Sequence, residues 1–211
     1  LNAILGFSQL MHRSKNLSAE HRDNLHIISR SGEHLLTLIN NVLDLSKIEA
    51  GRTTVNEKNF DLYRLLGDLE DMFLLRAEDK HLSLLVERAE TLPRYVCTDE
   101  LKLRQVIINL LNNAIKFTES GGVTVRVAPA HEQPLDATPD TLLVRVEVED
   151  TGPGIAPDEL DALFEAFTQT KTGQQSQEGT GLGLPISRQF VQLMGGEMQV
   201  RSTVGRGTVF S

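Results

Sequence analysis

The chain has one cysteine, Cys97, so no internal disulfide can staple its fold. Such usage fits a reducing compartment. No apolar run comes near the ~18 residues that a membrane span needs, and no leader pattern of charged, apolar and small residues opens the chain. Basic residues are outnumbered, 21 against 29 acidic, for a formal net charge of −8. Affinity for nucleic acid rests on Lys and Arg at phosphates, so that partner class is disfavoured. No internal repeat is visible. The first residue is Leu1, in the middle of an amphipathic pattern, which leads us to expect a piece of a longer protein. This piece carries no membrane segment of its own and is expected in the cytoplasm, even if the parent is anchored. What the chain does hold is apolar side chains: 40% of 211 residues are hydrophobic. That suffices for a packed core, in one or two domains.

Leu1, Ile4, Leu5 and Met11 share a helical spacing that runs to about residue 14. Ser18 then stands as a helix N-cap, with His21 where a capping box would hold Glu. From Ala19 to Ala50, the residues Leu25, Ile28, Gly32, Leu35, Ile39 and Val42 step by threes and fours, as in a heptad seam, and Leu36 and Leu43 widen the stripe. Gly51 suits the position just past the helix end. About 31 residues at ~1.5 Å each make a rod of roughly 46 Å. The short first helix cannot cover so long a stripe. A second copy of the hairpin is the economical cover, which predicts a homodimer built on a four-helix bundle. Packing of the stripe on the rest of the chain is the alternative.

After Gly51 the texture changes. We expect the hairpin to occupy 1–51 and a second domain 52–211. Strands are predicted within 53–62, 82–89, 94–99, 123–129 and 142–150, and helices over 62–80 and 100–118. A polar, Pro-containing loop follows at 130–140, a short helix at 158–167, a polar stretch at 168–181, a helix at 182–196 and a closing hairpin at 197–211. The fold class is α+β: a helical hairpin forming a dimeric four-helix bundle, then an α/β sandwich with helices on one face of a mixed sheet.

Three stretches carry candidate chemistry. In "NLLNNAIKFT", Asn109, Asn113 and Lys116 share one helix face, away from most of the apolar positions. Asn is a mediocre helix former. Its amide oxygen, however, is a neutral hard ligand for Mg²⁺ when phosphates supply the negative charge, and Lys116 would be a point charge for those phosphates. A solvated helix face is the plain alternative. In "EDTGPGIAP", Asp150 closes a strand. A carboxylate there can accept from the N6 amine of adenine and would repel the O6 acceptor of guanine. Gly152 and Gly154 let a base pack against bare backbone, and Pro153 stiffens the segment; a simple turn is the alternative. In "EGTGLGL", Gly179, Gly181 and Gly183 recur every second residue at a helix start, where open amides bind anions. No Gly-Lys-Ser/Thr follows, so this is not a Walker sequence. The preceding "TQTKTGQQSQ" has the composition of a lid, from which Lys171 could reach a terminal phosphate or simply stay solvated.

Taken in this order, the motifs resemble those of the sensor histidine kinases, with their Bergerat-type ATP-binding fold. "NLLNNAIKFT" resembles the family's N box, "DTGPGIAP" and "GTGLGL" its two glycine boxes, and "FEAF" its phenylalanine motif. "LNAILGFSQLM" and "NNVLDLSKIEAG" resemble the helices of its dimerisation and phosphotransfer domain. The resemblance spans essentially the whole chain. It implies ATP and Mg²⁺ as ligands, autophosphorylation on histidine and transfer to an aspartate of a response regulator that docks on the exposed bundle face. Asn113, with Asn109 one turn earlier, would hold the metal. Lys116 would contact phosphate and, with Asn113, serve catalysis. Asp150 would read adenine. Gly152, Gly154, Gly181 and Gly183 would shape the pocket and the lid hinge, joined by Gly179 and Thr180 at the phosphates. Ile155 and Leu182 would line the pocket, and Phe164 and Phe167 would anchor the lid or simply join the core. The family's phosphorylated histidine lies in a segment just before the "LNAILGF" helix. Histidines 12, 21, 26, 34, 81 and 131 lie in no such segment, so the residues given are expected to bind ATP without including the usual nucleophile. A conformational ATPase of the same superfamily, or a nucleotide-binding adaptor, are the alternatives.

Overall fold

The computed structural model describes residues 1–12, 14, 17–130, 142–168, 173 and 180–211. Lys171, Gly179 and all but the first residue of the predicted 130–140 loop lie outside this set. The chain forms two compact units, Leu1–Thr53 and Thr54–Ser211.

The first unit is a pair of helices, α1 (Asn2–His12) and α2 (Ala19–Glu49). Ser18 caps α2: its side chain accepts the His21 amide at 3.2 Å, and its Oγ lies 2.8 Å from His21 Nδ1. The imidazole thus occupies the place a capping box gives to Glu. At the other end, Gly51 takes φ 64, and the amides of Gly51 and Arg52 donate to the carbonyls of Ile48 and Lys47. That is the Schellman closure, which a residue with a side chain enters only under strain. The helices meet through small residues. A Cβ on Gly32 would lie 2.7 Å from Leu5 Cδ2. Ser8 is buried; its hydroxyl donates to the Leu25 carbonyl at 3.3 Å and lies 2.8 Å from Ser29 Oγ. Leu25 is buried too, but Ile28, Leu35, Ile39, Val42 and Leu43 remain exposed, as do Ile4, Phe7 and Leu10. The contact between α1 and α2 therefore covers only part of the apolar stripe.

The second unit runs β1 (Lys58–Asp61), α3 (Leu62–Asp79), β2 (Ser83–Arg88), β3 (Tyr95–Thr98), α4 (Glu100–Phe117), β4 (Gly122–Pro129), β5 (Val144–Asp150), α5 (Pro157–Leu160), α6 (Gly183–Leu193), β6 (Val200–Thr203) and β7 (Gly207–Phe210). Five strands form one sheet in the order β2-β4-β5-β7-β6, with β2 parallel to β4 and the other pairs antiparallel. Strands β1 and β3 pair antiparallel in a small second sheet. The mixed sheet expected from the sequence is present. Its burial is one-sided: Val123, Val125 and Val127 alternate inward on β4, and Leu65, Leu69 and Phe73 of α3, Ile107, Leu110 and Leu111 of α4, and Ile186 and Phe190 of α6 are buried as well. On the open face Arg126 pairs with Glu87 at 2.9 Å and with Glu149, and Arg201 pairs with Glu147 at 3.3 Å. Exposed pairs of this kind contribute little; burial of the apolar face holds the layers together. The helix expected over 158–167 is shorter than its pattern. After Leu160 the chain tightens into a 3-10 turn, Asp161–Phe164, that buries Leu163, because one α-helical turn alone has little to propagate it.

Helix α4 is fixed at both ends. Its N-cap Asp99, buried, accepts the Lys102 amide at 3.1 Å, the Asn56 amide at 3.0 Å and the Lys102 ammonium at 2.5 Å. Burial works against the Asp99 charge, but Lys102 and the two amides outweigh it and hold the carboxyl at about 2. Stability from this cap is present above the ordinary value of 3.8 and is lost as pH falls toward about 2. At the other end, Lys80 donates to the carbonyls of Ile115 and Lys116, each at 2.8 Å, a cation against the negative end of the helix.

Helix α3 closes with the same Schellman pattern as α2, Leu82 to Ala77 and His81 to Glu78, but its left-handed residue is His81, φ 58. His81→Gly is expected to raise stability by about 1 kcal/mol in urea unfolding, since glycine adopts that conformation without the side-chain clash.

Candidate nucleotide site

Strand alternation places the carboxylate. Val148 of β5 is buried under the helices, whereas Glu147 and Glu149 face the open side with Arg201 and Arg126. Asp150 shares the parity of Val148 and so ends the strand on the helix-covered face. It lies opposite Val123 of β4 and Thr208 of β7. Its Oδ1 accepts the Gly152 amide at 2.8 Å. Burial pushes the carboxyl above its ordinary value; hydrogen bonds from the amides of Gly152 and Thr208 oppose this, and Glu149 adds to it.

The glycines after Asp150 are wedges. Gly152 is buried, and a Cβ there would lie 2.9 Å from Asp150 Oδ1 and 3.2 Å from the Phe117 carbonyl of α4. Gly154 takes φ 70, and a Cβ would overlap the Thr203 carbonyl. The turn is stapled to the last hairpin: the Gly205 amide donates to Pro153 O at 2.7 Å, and the Ile155 amide to Ser202 Oγ at 2.8 Å. Ile155 itself is half-buried. One glycine here escaped the sequence motifs. Gly207, φ 124, lets β7 approach so closely that a Cβ would overlap the Asp150 carbonyl. Its only signal was the Gly-Arg-Gly of a hairpin turn.

On α4, Asn109, Asn113 and Lys116 are all half-buried and share the expected face, but their settings differ. Asn113 makes no hydrogen bond among the described residues. Burial lowers the Lys116 pKa, and the neighbouring Lys80 charge lowers it further; its Nζ lies 4.7 Å from the centre of the Phe117 ring. Asn109 is engaged with α6: its Nδ2 donates to Ser187 Oγ at 2.9 Å. A Cβ on Gly183 would overlap Asn109 Oδ1. Gly183 thus makes room for an amide of the other motif. A cavity of about 450 Å³ flanks Lys116 on the α3 side, where Arg76 is committed to Asn112 and Lys80 to the end of α4.

The second glycine motif closes a ring. The Phe167 amide donates to the Gly181 carbonyl at 3.1 Å, and both residues are left-handed, φ 65 and 67. Thr180 Oγ1 accepts the Leu182 amide at 3.2 Å. Leu182, expected to line the pocket, is fully buried at 0% exposure. Phe164 is half-buried under the Arg188 guanidinium, 4.7 Å from its ring centre, whereas Phe167 is 67% exposed. Helix α4 is the shared wall, touching Gly152 through Phe117 and Gly183 through Asn109.

Among the described residues no group of three His, Cys, Asp or Glu could hold a metal alone. A cation here would draw on neutral amide oxygens and on phosphates of its ligand, which suits Mg²⁺. The open amide of Asn113 and the absent side chain of Gly183 fit such a ligand. Among the described residues no helix is long and apolar enough to cross a membrane.

The sequence profile of the histidine kinase-, DNA gyrase B- and HSP90-like ATPases matches residues 98–211, and that of the His Kinase A (phospho-acceptor) domain matches residues 1–51. The chain is 39% identical over its whole length to the sensor protein GacS of Pseudomonas syringae pv. syringae, covering 23% of that protein. It is 36% identical to the aerobic respiration control sensor protein ArcB of Escherichia coli K12, covering 26%. Among solved structures, full-length ShkA in complex with AMPPNP matches 99% of this chain and 41% of its own, with a TM-score of 0.78 and 34% identity. The chain spans about a quarter of the length of these curated relatives. It belongs to the histidine kinase-, gyrase B- and HSP90-like ATPase family, and within it to the sensor histidine kinases, whose catalytic core it represents. Its second unit is an ATP-binding domain, and the hairpin in front separates it from the conformational ATPases of that family.

Asp150 binds its proton more tightly folded than unfolded, so folding stability falls as pH rises from the ordinary value of 3.8 through the raised one. Asp150→Asn cannot ionise. In thermal unfolding without nucleotide it is expected to melt higher than wild type at pH 7, and the gain should shrink toward pH 4.

Proposed function

We propose that this core transfers the γ-phosphoryl group of ATP to a histidine imidazole of the hairpin domain of its parent protein, and that the group then passes to an aspartate of a response regulator. The observation that carries this reading is the carboxylate of Asp150, desolvated on the covered face at a strand end and bordered by glycine wedges. Phosphoryl transfer asks a protein for positioning and charge neutralisation more than for covalent help. Asp150 accepts from the adenine amine. Gly152 and Gly154 keep backbone open to the base, beside Ile155. Asn113 and Asn109 would hold Mg²⁺ through their amide oxygens, and the cation would offset phosphate charge. Lys116 and the amides around Thr180, Gly181 and Gly183 face the phosphates, and Gly179 and Lys171 belong to the same group by motif. Phe164 and Phe167 belong, by motif, with the anchors of the lid. Residues 52–211 carry this chemistry; residues 1–51 carry dimerisation and phosphotransfer, and a site for the regulator on the exposed bundle face. Use of ATP is consistent with a cytoplasmic location for this part.

Asp150→Asn tests the nucleotide reading. An ATP analogue should bind at least ~10-fold more weakly by calorimetry, the weight of a good base-edge hydrogen bond; unchanged affinity would sink it. The uncovered leucines and isoleucines of α2 support pairing with a second hairpin. At micromolar concentration, light scattering should give twice the chain mass, and a monomer would overturn the bundle.

A further inference from the structure

Ser187 lies in mid-helix on α6 and is 2% exposed. A buried hydroxyl needs a partner, and a helical serine ordinarily takes the carbonyl one turn back. Ser187 instead meets a residue 78 positions away, Asn109 of α4, whose Nδ2 donates to its Oγ at 2.9 Å. One turn earlier on the same face of α6 stands Gly183, where a Cβ would lie 2.9 Å from Asn109 Cγ and would overlap Oδ1. The two residues form a slot. Ser187 takes the amide nitrogen, and the bare Cα of Gly183 leaves room for the oxygen at the α6 N-terminus.

We propose that Ser187 is a positioning residue that fixes the Asn109 carboxamide with its oxygen, and not its nitrogen, turned toward the bound cation. The inference rests on the metal reading of Asn109 given above. A carboxamide is a two-ended rotor with a broad terminal torsion. Turned one way it offers a hard oxygen; turned the other it offers an NH₂ group that a cation repels. A hydroxyl can accept from either hydrogen of the nitrogen or donate to the oxygen, so Ser187 acts together with Gly183: the hydroxyl takes the nitrogen while the bare Cα at the positive α6 N-terminus seats the oxygen, which is then the end left to offer. Groups that orient a ligand in this way commonly carry a 10- to 100-fold share of metal affinity.

The full chain serves for the test, with AMPPNP affinity measured by calorimetry in Mg²⁺ and in EDTA for wild type, Ser187→Ala, Asn109→Ala and the double variant. Alanine is the better helix former, so the fold should persist, as thermal unfolding of each variant will show. Ser187→Ala should weaken binding about 10-fold in Mg²⁺, leave binding in EDTA unchanged, and add nothing in the Asn109→Ala background. Equal weakening with and without Mg²⁺, or an undiminished effect in that background, means ordinary packing and overturns the proposal. If Asn109→Ala loses the Mg²⁺-dependent gain while Ser187→Ala keeps it, only the positioning role fails. If Asn109→Ala keeps the gain, the metal reading of Asn109 fails and takes this inference with it.

Discussion

Everything proposed at the site depends on α4 being held still. The helix carries Asn109, Asn113 and Lys116, and it also forms the wall against which the turn after β5 and the start of α6 are set. Asp99 ties its first turn, through Lys102, to Asn56 of a distant segment, and Lys80 closes its last turn. Between these ends, Val106, Ile107, Leu110, Leu111 and Ala114 are buried. A helix fixed this way presents its polar face in one orientation before any ligand arrives, which is what binding geometry to within a fraction of an ångström requires.

The second constraint is the period of two along β5. It sends Glu147 and Glu149 to the wet face, where Arg201 and Arg126 meet them, and sends Asp150 under the helices. The same carboxylate that can read an amine is therefore a local weakness of the empty fold, because burial penalises its charge. The role proposed for this residue and the stability of the fold pull in opposite directions, as is common where a site keeps a group that the fold alone would not choose.

Much of this was legible in the sequence. The long periodic segments gave α2, α3 and α4 nearly to the residue, since a wide apolar stripe runs along each, and for α2 the Ser18 cap and the Gly51 stop agree with it. The strand ending in Asp150 and the glycines around it were visible as motifs. What stayed hidden needs two distant segments at once. Nothing local says that Ser187 answers Asn109, or that Gly207 makes room for the carbonyl of Asp150. The resemblance implied Leu182 as a pocket wall, whereas the side chain is fully buried. The short helix after Pro157 was overdrawn because a single turn and a 3-10 turn share almost the same spacing.

The hydrogen bond from Phe167 to Gly181 brings the two ends of one stretch of chain to the same point, each in a left-handed backbone. That bond holds the two ends to each other, independent of the length of chain that joins them. Doubling the length of such a loop costs only ~0.6 kcal/mol in closure entropy. A change of length between two ends fixed in this way is therefore cheap.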